Sequence, residues 1–154
     1  MMLTSQRKSK MLRQHKTLHL FPVALALATG VALAAGPSMA QKEIATAKIH
    51  ATVASKIDAL TGVHLHLHHV VNCLVGPHGV GYSTKAEALS AYHCNDLGDG
   101  AIADSKADPQ VHRLAETALR EAQAGIHAKT MATAHRDAIS VLKTLDAAGE
   151  AGKK

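Results

Sequence analysis

The stretch Gly62-Val63-His64-Leu65-His66-Leu67-His68-His69-Val70-Val71-Asn72-Cys73-Leu74 admits two readings, and the choice between them decides the fold. From Val63 to His68, apolar and polar residues alternate with period two, the pattern of a half-buried strand. Over a longer window, Val53, Ile57, Leu60, Leu67, Val71 and Leu74 recur at spacings of three and four, and His64 fills the one gap in the series. That heptad seam predicts an amphipathic helix. An isolated strand would leave its backbone N–H and C=O groups unpaired, and no convincing partner strand exists elsewhere in the chain, so the helix is the better reading. Its seam extends back to His50. Gly62 costs the helix about 1 kcal/mol relative to alanine, which suggests a kink more than a stop.

Outward from this helix, Gly76-Pro77-His78-Gly79-Val80-Gly81 is a dense turn signal. Ser83 or Thr84 can cap a short helix from Lys85 to about Tyr92, and the sequence from Asn95 to Asp104 reads as loop. The spacing of Asp96, Asp99 and Asp104 does not match a calcium loop, which needs ligands at alternate positions and a closing Glu. Asp108 followed by Pro109 is a helix start. The alanine-rich segment after it carries one seam at Val111, Ala115, Ala118 and Ala122 and a second, out of phase, at Met131, His135, Ala138, Leu142 and Leu145. The shift falls near Gly125, where a bend or a change of packing partner is expected. Gly149 reads as the stop.

The first forty residues have the layout of a secretory leader. Arg7, Lys8, Lys10, Arg13 and Lys16 form a basic start, an uncharged run follows from Leu18 to Ala35, and Ser38-Met39-Ala40 supplies small residues for cleavage before Gln41. The alternative is an uncleaved anchor, since a run of roughly 18 residues is about the minimum for a membrane span. Cleavage is the preferred reading, with export to the periplasm or beyond and no stable membrane anchor. Without the leader's five basic residues, twelve Lys and Arg face twelve Asp and Glu, so the sequence pI of about 9.4 does not argue for nucleic acid. Ten of the twelve histidines remain beyond Ala40.

The expected organisation is therefore a leader (1–40), a single helical domain (41–148) and a flexible tail (149–154). Within the domain, a helix over 41–75 and one over 109–148 flank a loop with a short helix over 76–108. This is an all-α fold: an antiparallel hairpin of two long helices, stapled at its connecting loop. So thin a hairpin would bury its seams by pairing with a second copy, giving a four-helix-bundle homodimer. Counting along uninterrupted helices sets His50 level with His135, and His112 level with Cys73.

Cys73 and Cys94 are the only cysteines, and in an exported protein an even count points first to a disulfide. The other reading makes both thiolates metal ligands beside His69, His93 or His112. On the helix, His66 and His69 share an outward stripe leading to Cys73, and His64 and His68 form a separate pair four residues apart beside the seam. Either pair suits copper, zinc or nickel, which imidazole binds well. The strand reading would gather His64, His66 and His68. The bland alternative for outward histidines is a solvated helix face. For His50, His64 and His135 it is a buried, hydrogen-bonded imidazole.

No nucleophile elbow, His-Glu-x-x-His motif, di-iron Glu-x-x-His pair or phosphate-cradling loop is present, so an enzyme is not expected. The function expected is transition-metal binding as a buffer, carrier or sensor component. Two alternatives are a metal-free structural or partner-binding bundle and a non-covalent haem-binding bundle. The second has little aromatic material for a pocket and no Cys-x-x-Cys-His for covalent attachment.

Overall fold

The histidine-rich stretch is helical from Leu60 to Val75 (α2), and its apolar positions Val63, Leu67, Val70, Val71 and Leu74 are all buried in the main core. The computed structural model describes residues 36–153; the leader expected over 1–40 lies outside them except for its last five residues. Among the described residues there is no strand. Ahead of α2 runs α1 (Met39–Ala54), and beyond it come two single-turn helices, α3 (Thr84–Glu87) and α4 (Ala101–Asp104). Two long helices follow, α5 (Pro109–Ile126) and α6 (Met131–Ala151).

Four of the six helices start at a side-chain cap. Ser38 and Gln41 form a reciprocal capping box on α1. Ser83 caps α3 through the Ala86 N–H, and Thr130 caps α6 through the Thr133 N–H. Asp108 accepts from the N–H groups of Gln110 and Val111, with Pro109 in the first turn of α5. The α2 helix ends at Gly76, whose φ of 69° belongs to the left-handed region.

Four long helices of one chain form the bundle. α1 packs along α2 and α5 along α6, while α2 lies on α5 and α1 on α6. The single helix expected over 41–75 is instead two, broken at Ser55–Ala59, and the one expected over 109–148 is broken at His127–Thr130. The heptad spacing between Val53 and Leu60 was read through a turn. In α1 the buried positions are Ala40, Glu43, Ile44, Ala47, His50, Ala51 and Ala54, a stripe one position out of step with Val53. The phase shift near Gly125 marks the α5–α6 break as expected, because each half faces a different neighbour. One chain thus supplies four long helices where a hairpin of two was expected. Gly149, expected to stop the last helix, lies inside α6, its α-carbon face 3.9 Å from Ile44 Cγ2 for any added Cβ. That is an ordinary contact distance, so the packing of α6 on α1 does not require glycine here, and the Gly152 carbonyl beyond it accepts from Gln41 Nε2.

The connection from α2 to α5 folds back over the hairpin of α1 and α2. Cys73 and Cys94 form a disulfide that ties the end of α2 to this segment. Glu87, buried, accepts from the N–H groups of Cys94 and Asn95 with one oxygen and from Asn72 Nδ2 with the other. Asn72 in turn accepts the Ser83 N–H and donates to the Ser83 carbonyl. Glu43 on α1 takes the Gly100 N–H at 2.8 Å and so holds the start of α4. No helix among the described residues is long and apolar enough to cross a membrane.

Candidate metal centre

Because α1 and α2 run antiparallel about the Ser55–Ala59 turn, His50 comes to lie opposite His66 and His69. The ring centroids are 4.5 Å apart for His50 and His69, 5.5 Å for His66 and His69, and 5.6 Å for His50 and His66. Their Nδ1 atoms converge: His50 Nδ1 is 3.4 Å from His66 Nδ1 and 3.3 Å from His69 Nδ1. One ligand atom from each residue lies within 4.8 Å of the others, and the three could hold a metal ion.

The outer nitrogens of two rings are already engaged. His50 Nε2–H donates to the Tyr92 carbonyl at 3.0 Å, with Ser90 Oγ at 3.4 Å, and His69 Nε2–H donates to the Ala86 carbonyl at 2.8 Å. A neutral imidazole has one N–H, so each of these bonds leaves Nδ1 as a bare lone pair. Two lone pairs then face each other across 3.3 Å with no hydrogen between them. His66 can offer its own Nδ1–H to His50, but that still leaves the contact between His50 and His69 unresolved. A cation resolves it. A proton is the poor choice, because burial, opposed in part by the Tyr92 bond and reinforced by the neighbouring imidazoles, pushes His50 down to about 4. Burial also lowers His66 and His69.

A metal ion meets the geometry. Two imidazole nitrogens each 2.0–2.1 Å from a tetrahedral ion lie about 3.3–3.4 Å apart. Carbonyls that fix the far nitrogen are also the usual outer partners of metal-bound histidines. His50 and His69 are 3% and 2% exposed, whereas His66 is partly open, so a fourth position is left for an exogenous ligand on that side.

The expected stripe of His66 and His69 is thus brought together, but only His66 keeps an open side, His69 being buried against the Ala86 carbonyl of α3. The centre also includes His50, which the sequence reading left as a buried structural histidine. Its expected neighbour in height, His135, instead donates to the Ile57 carbonyl at 2.9 Å, beside the turn that the continuous-helix count ignored. A turn read at Ser55–Asp58 would have paired His50 with the residues around His66.

Other candidates lie elsewhere. His64 Nε2–H donates to the Ala128 carbonyl at 3.1 Å. His68 has a buried Nδ1 without a partner, and burial, then the charges of His64, His69 and His127, hold it below the ordinary imidazole value. His93 lies 3.3 Å from Glu87 Oε1. His112 donates from Nδ1 to the Ile102 carbonyl at 2.9 Å, its Nε2 3.5 Å from Glu116, and Cys73, being disulfide-bonded, offers it no thiolate to share a metal with. Burial alone would raise Glu87, but its bonds from Asn72, Cys94, Asn95 and His93 outweigh that and hold it below the usual carboxylate range, so a fixed negative charge lies near His69.

Comparison with known protein families, with curated proteins and with solved structures finds no match to this chain.

Proposed function

We propose that this protein binds a late first-row transition metal, copper, zinc or nickel, through His50, His66 and His69, and acts as an exported buffer, carrier or sensor component. The observation that carries this reading is the pair of unprotonated Nδ1 atoms of His50 and His69 at 3.3 Å, each with its other nitrogen held by a carbonyl. Three imidazoles and an open fourth position bind an ion while leaving it exchangeable, which suits transfer better than permanent structural use. Glu87, the acid whose charge reaches His69, has both oxygens engaged, which supports a binder over a hydrolytic catalyst. The disulfide supports an oxidising compartment. Rings packed at 4.5–5.6 Å leave no slot for a porphyrin among them, which favours a bare ion over haem.

Calorimetric titration of the purified protein with each ion at neutral pH tests the proposal. Saturable binding that disappears in His50→Ala and His69→Ala, and survives in His93→Ala and His112→Ala, is the expected result. Absence of binding below millimolar ion would leave the metal-free bundle as the function.

A further inference from the structure

Copper, zinc and nickel differ in the angles they ask of their ligands, and the three rings hold their nitrogens at spacings that tell the ions apart. Zinc is four-coordinate and tetrahedral in most protein sites, whereas copper(II) and nickel(II) favour square-planar or tetragonal arrangements. With metal–nitrogen bonds of about 2.05 Å, ligands at right angles lie roughly 2.9 Å apart, opposite ones roughly 4.1 Å and tetrahedral neighbours about 3.3–3.4 Å. His50 Nδ1 is 3.3 Å from His69 Nδ1 and 3.4 Å from His66 Nδ1. Both spacings fall between the two square values, and they correspond to nitrogen–metal–nitrogen angles of about 107° and about 112°.

Resting on the metal-binding reading above, we infer that His50, His66 and His69 form a tetrahedral zinc centre bound entirely through Nδ1, one that disfavours nickel(II) and copper(II) and takes its fourth ligand, an anion, from solvent. The spacing is held in place. His50 and His69 are buried, and their Nε2–H bonds end on the Tyr92 and Ala86 carbonyls of a segment that the Cys73–Cys94 disulfide ties to α2. Drawing the two rings together to the right-angle spacing would stretch the bonds that orient them. His66, partly open, has no carbonyl partner on its ring among the described residues, so it can carry its proton on Nε2 and present Nδ1 in the same way. Copper(I) gains nothing here either, because it is selected by thiolate and thioether ligands and both cysteines are spent in the disulfide. Three neutral imidazoles leave the ion's charge of two uncompensated. Glu87, whose charge reaches His69, lies outside the ligand set with both oxygens engaged. A half-buried dication without an anionic donor favours an anion at the remaining position, on the open side beside His66.

Cobalt(II) copies the geometry of zinc and reports it by visible absorption. Added to the purified protein, cobalt chloride should bind to saturation at one equivalent with the intense bands of four-coordinate cobalt, shift them on addition of sodium azide, and be displaced by zinc chloride. Nickel chloride should compete for the site about tenfold or more weakly than zinc. His66→Ala, at a partly open position, should weaken cobalt binding by at least the roughly tenfold that loss of an outer partner costs. Faint bands of six-coordinate cobalt, or nickel held as tightly as zinc, overturn the tetrahedral zinc centre and leave metal binding standing. Intense bands that azide does not move overturn the solvent-borne fourth ligand. Bands unchanged in His66→Ala place the ion away from this centre, and no saturable uptake of cobalt or zinc rejects the metal-binding reading as well.

Discussion

A single nitrogen decides the chemistry of the centre. His50 Nδ1 has a lone pair only because Nε2 spends its proton on the Tyr92 carbonyl, and the same is true of His69 against Ala86. Metal binding requires neutral imidazoles, and the folded protein holds these rings below the ordinary value of 6.5, with His50 at about 4. The site is therefore expected to keep most of its affinity at pH 5.5, where a solvated histidine tract would be largely protonated. Competition titrations between pH 7.5 and 4.5 check this, and a loss centred at 6.5 would contradict it. The same shift makes the apo-protein lose stability as pH falls from 6.5 towards 4, because the unfolded chain takes up protons there that folded His50 refuses. Urea denaturation across that interval measures the slope. The His66/His69 pair was legible from spacing on a helix. His50 was not, because its chemistry depends on a partner helix and on two carbonyls some forty residues away.

At the scale of elements, the segment between α2 and α5 does more than connect. It brings the Ala86 and Tyr92 carbonyls to the centre and is tied down by the Cys73–Cys94 disulfide and by the Glu87–Asn72 bonds. Replacing both cysteines by serine should cost about 3 kcal/mol, as expected for closing a loop of roughly twenty residues. It should also weaken metal binding, since the carbonyls that orient two ligands lose their tether. Denaturation and titration of the same variant read both, and unchanged metal affinity would mean that the segment stays docked without the bond.

The acid anchoring α1 to the start of α4 behaves oppositely to the histidines. Glu43 is fully buried, one oxygen has no partner, and burial, relieved by the Gly100 bond and reinforced by Asp104, raises it to about 7. A raised carboxyl favours the fold while protonated, so its contribution is complete below about 4.5 and is lost as pH rises through 7. Glu43→Gln keeps the oxygen that accepts from Gly100 and removes the buried charge. It should raise stability at pH 8 by about 1–2 kcal/mol and change little at pH 4.5. A variant less stable than the parent at pH 8 would refute this account.

For the whole molecule, the centre links α1, α2 and the covering segment, so an ion bound there stabilises the fold by mass action. At an ion concentration a hundredfold above Kd, the gain is about 2.7 kcal/mol. Calorimetric scans should therefore show Tm rising with added ion and returning on chelation, with His50→Ala insensitive to both. An equal rise in that variant would place the stabilising ion elsewhere.

By itself the chain determined the helical class, the helix start at Asp108 and Pro109, the change of packing partner near Gly125, the Cys73–Cys94 pairing and the placing of His66 and His69 side by side on one helix. Each is local, set by spacing along one helix, by a cap, or by there being only two cysteines. The turns at Ser55–Ala59 and His127–Thr130 were hidden because apolar spacing happened to run through the first and a bend would satisfy the second. Only the tertiary structure decided that one chain supplies all four long helices and that His50 completes the centre. Both follow from where a helix reverses: moving that point by a few residues changes every cross-helix neighbour while leaving each helix's own pattern intact.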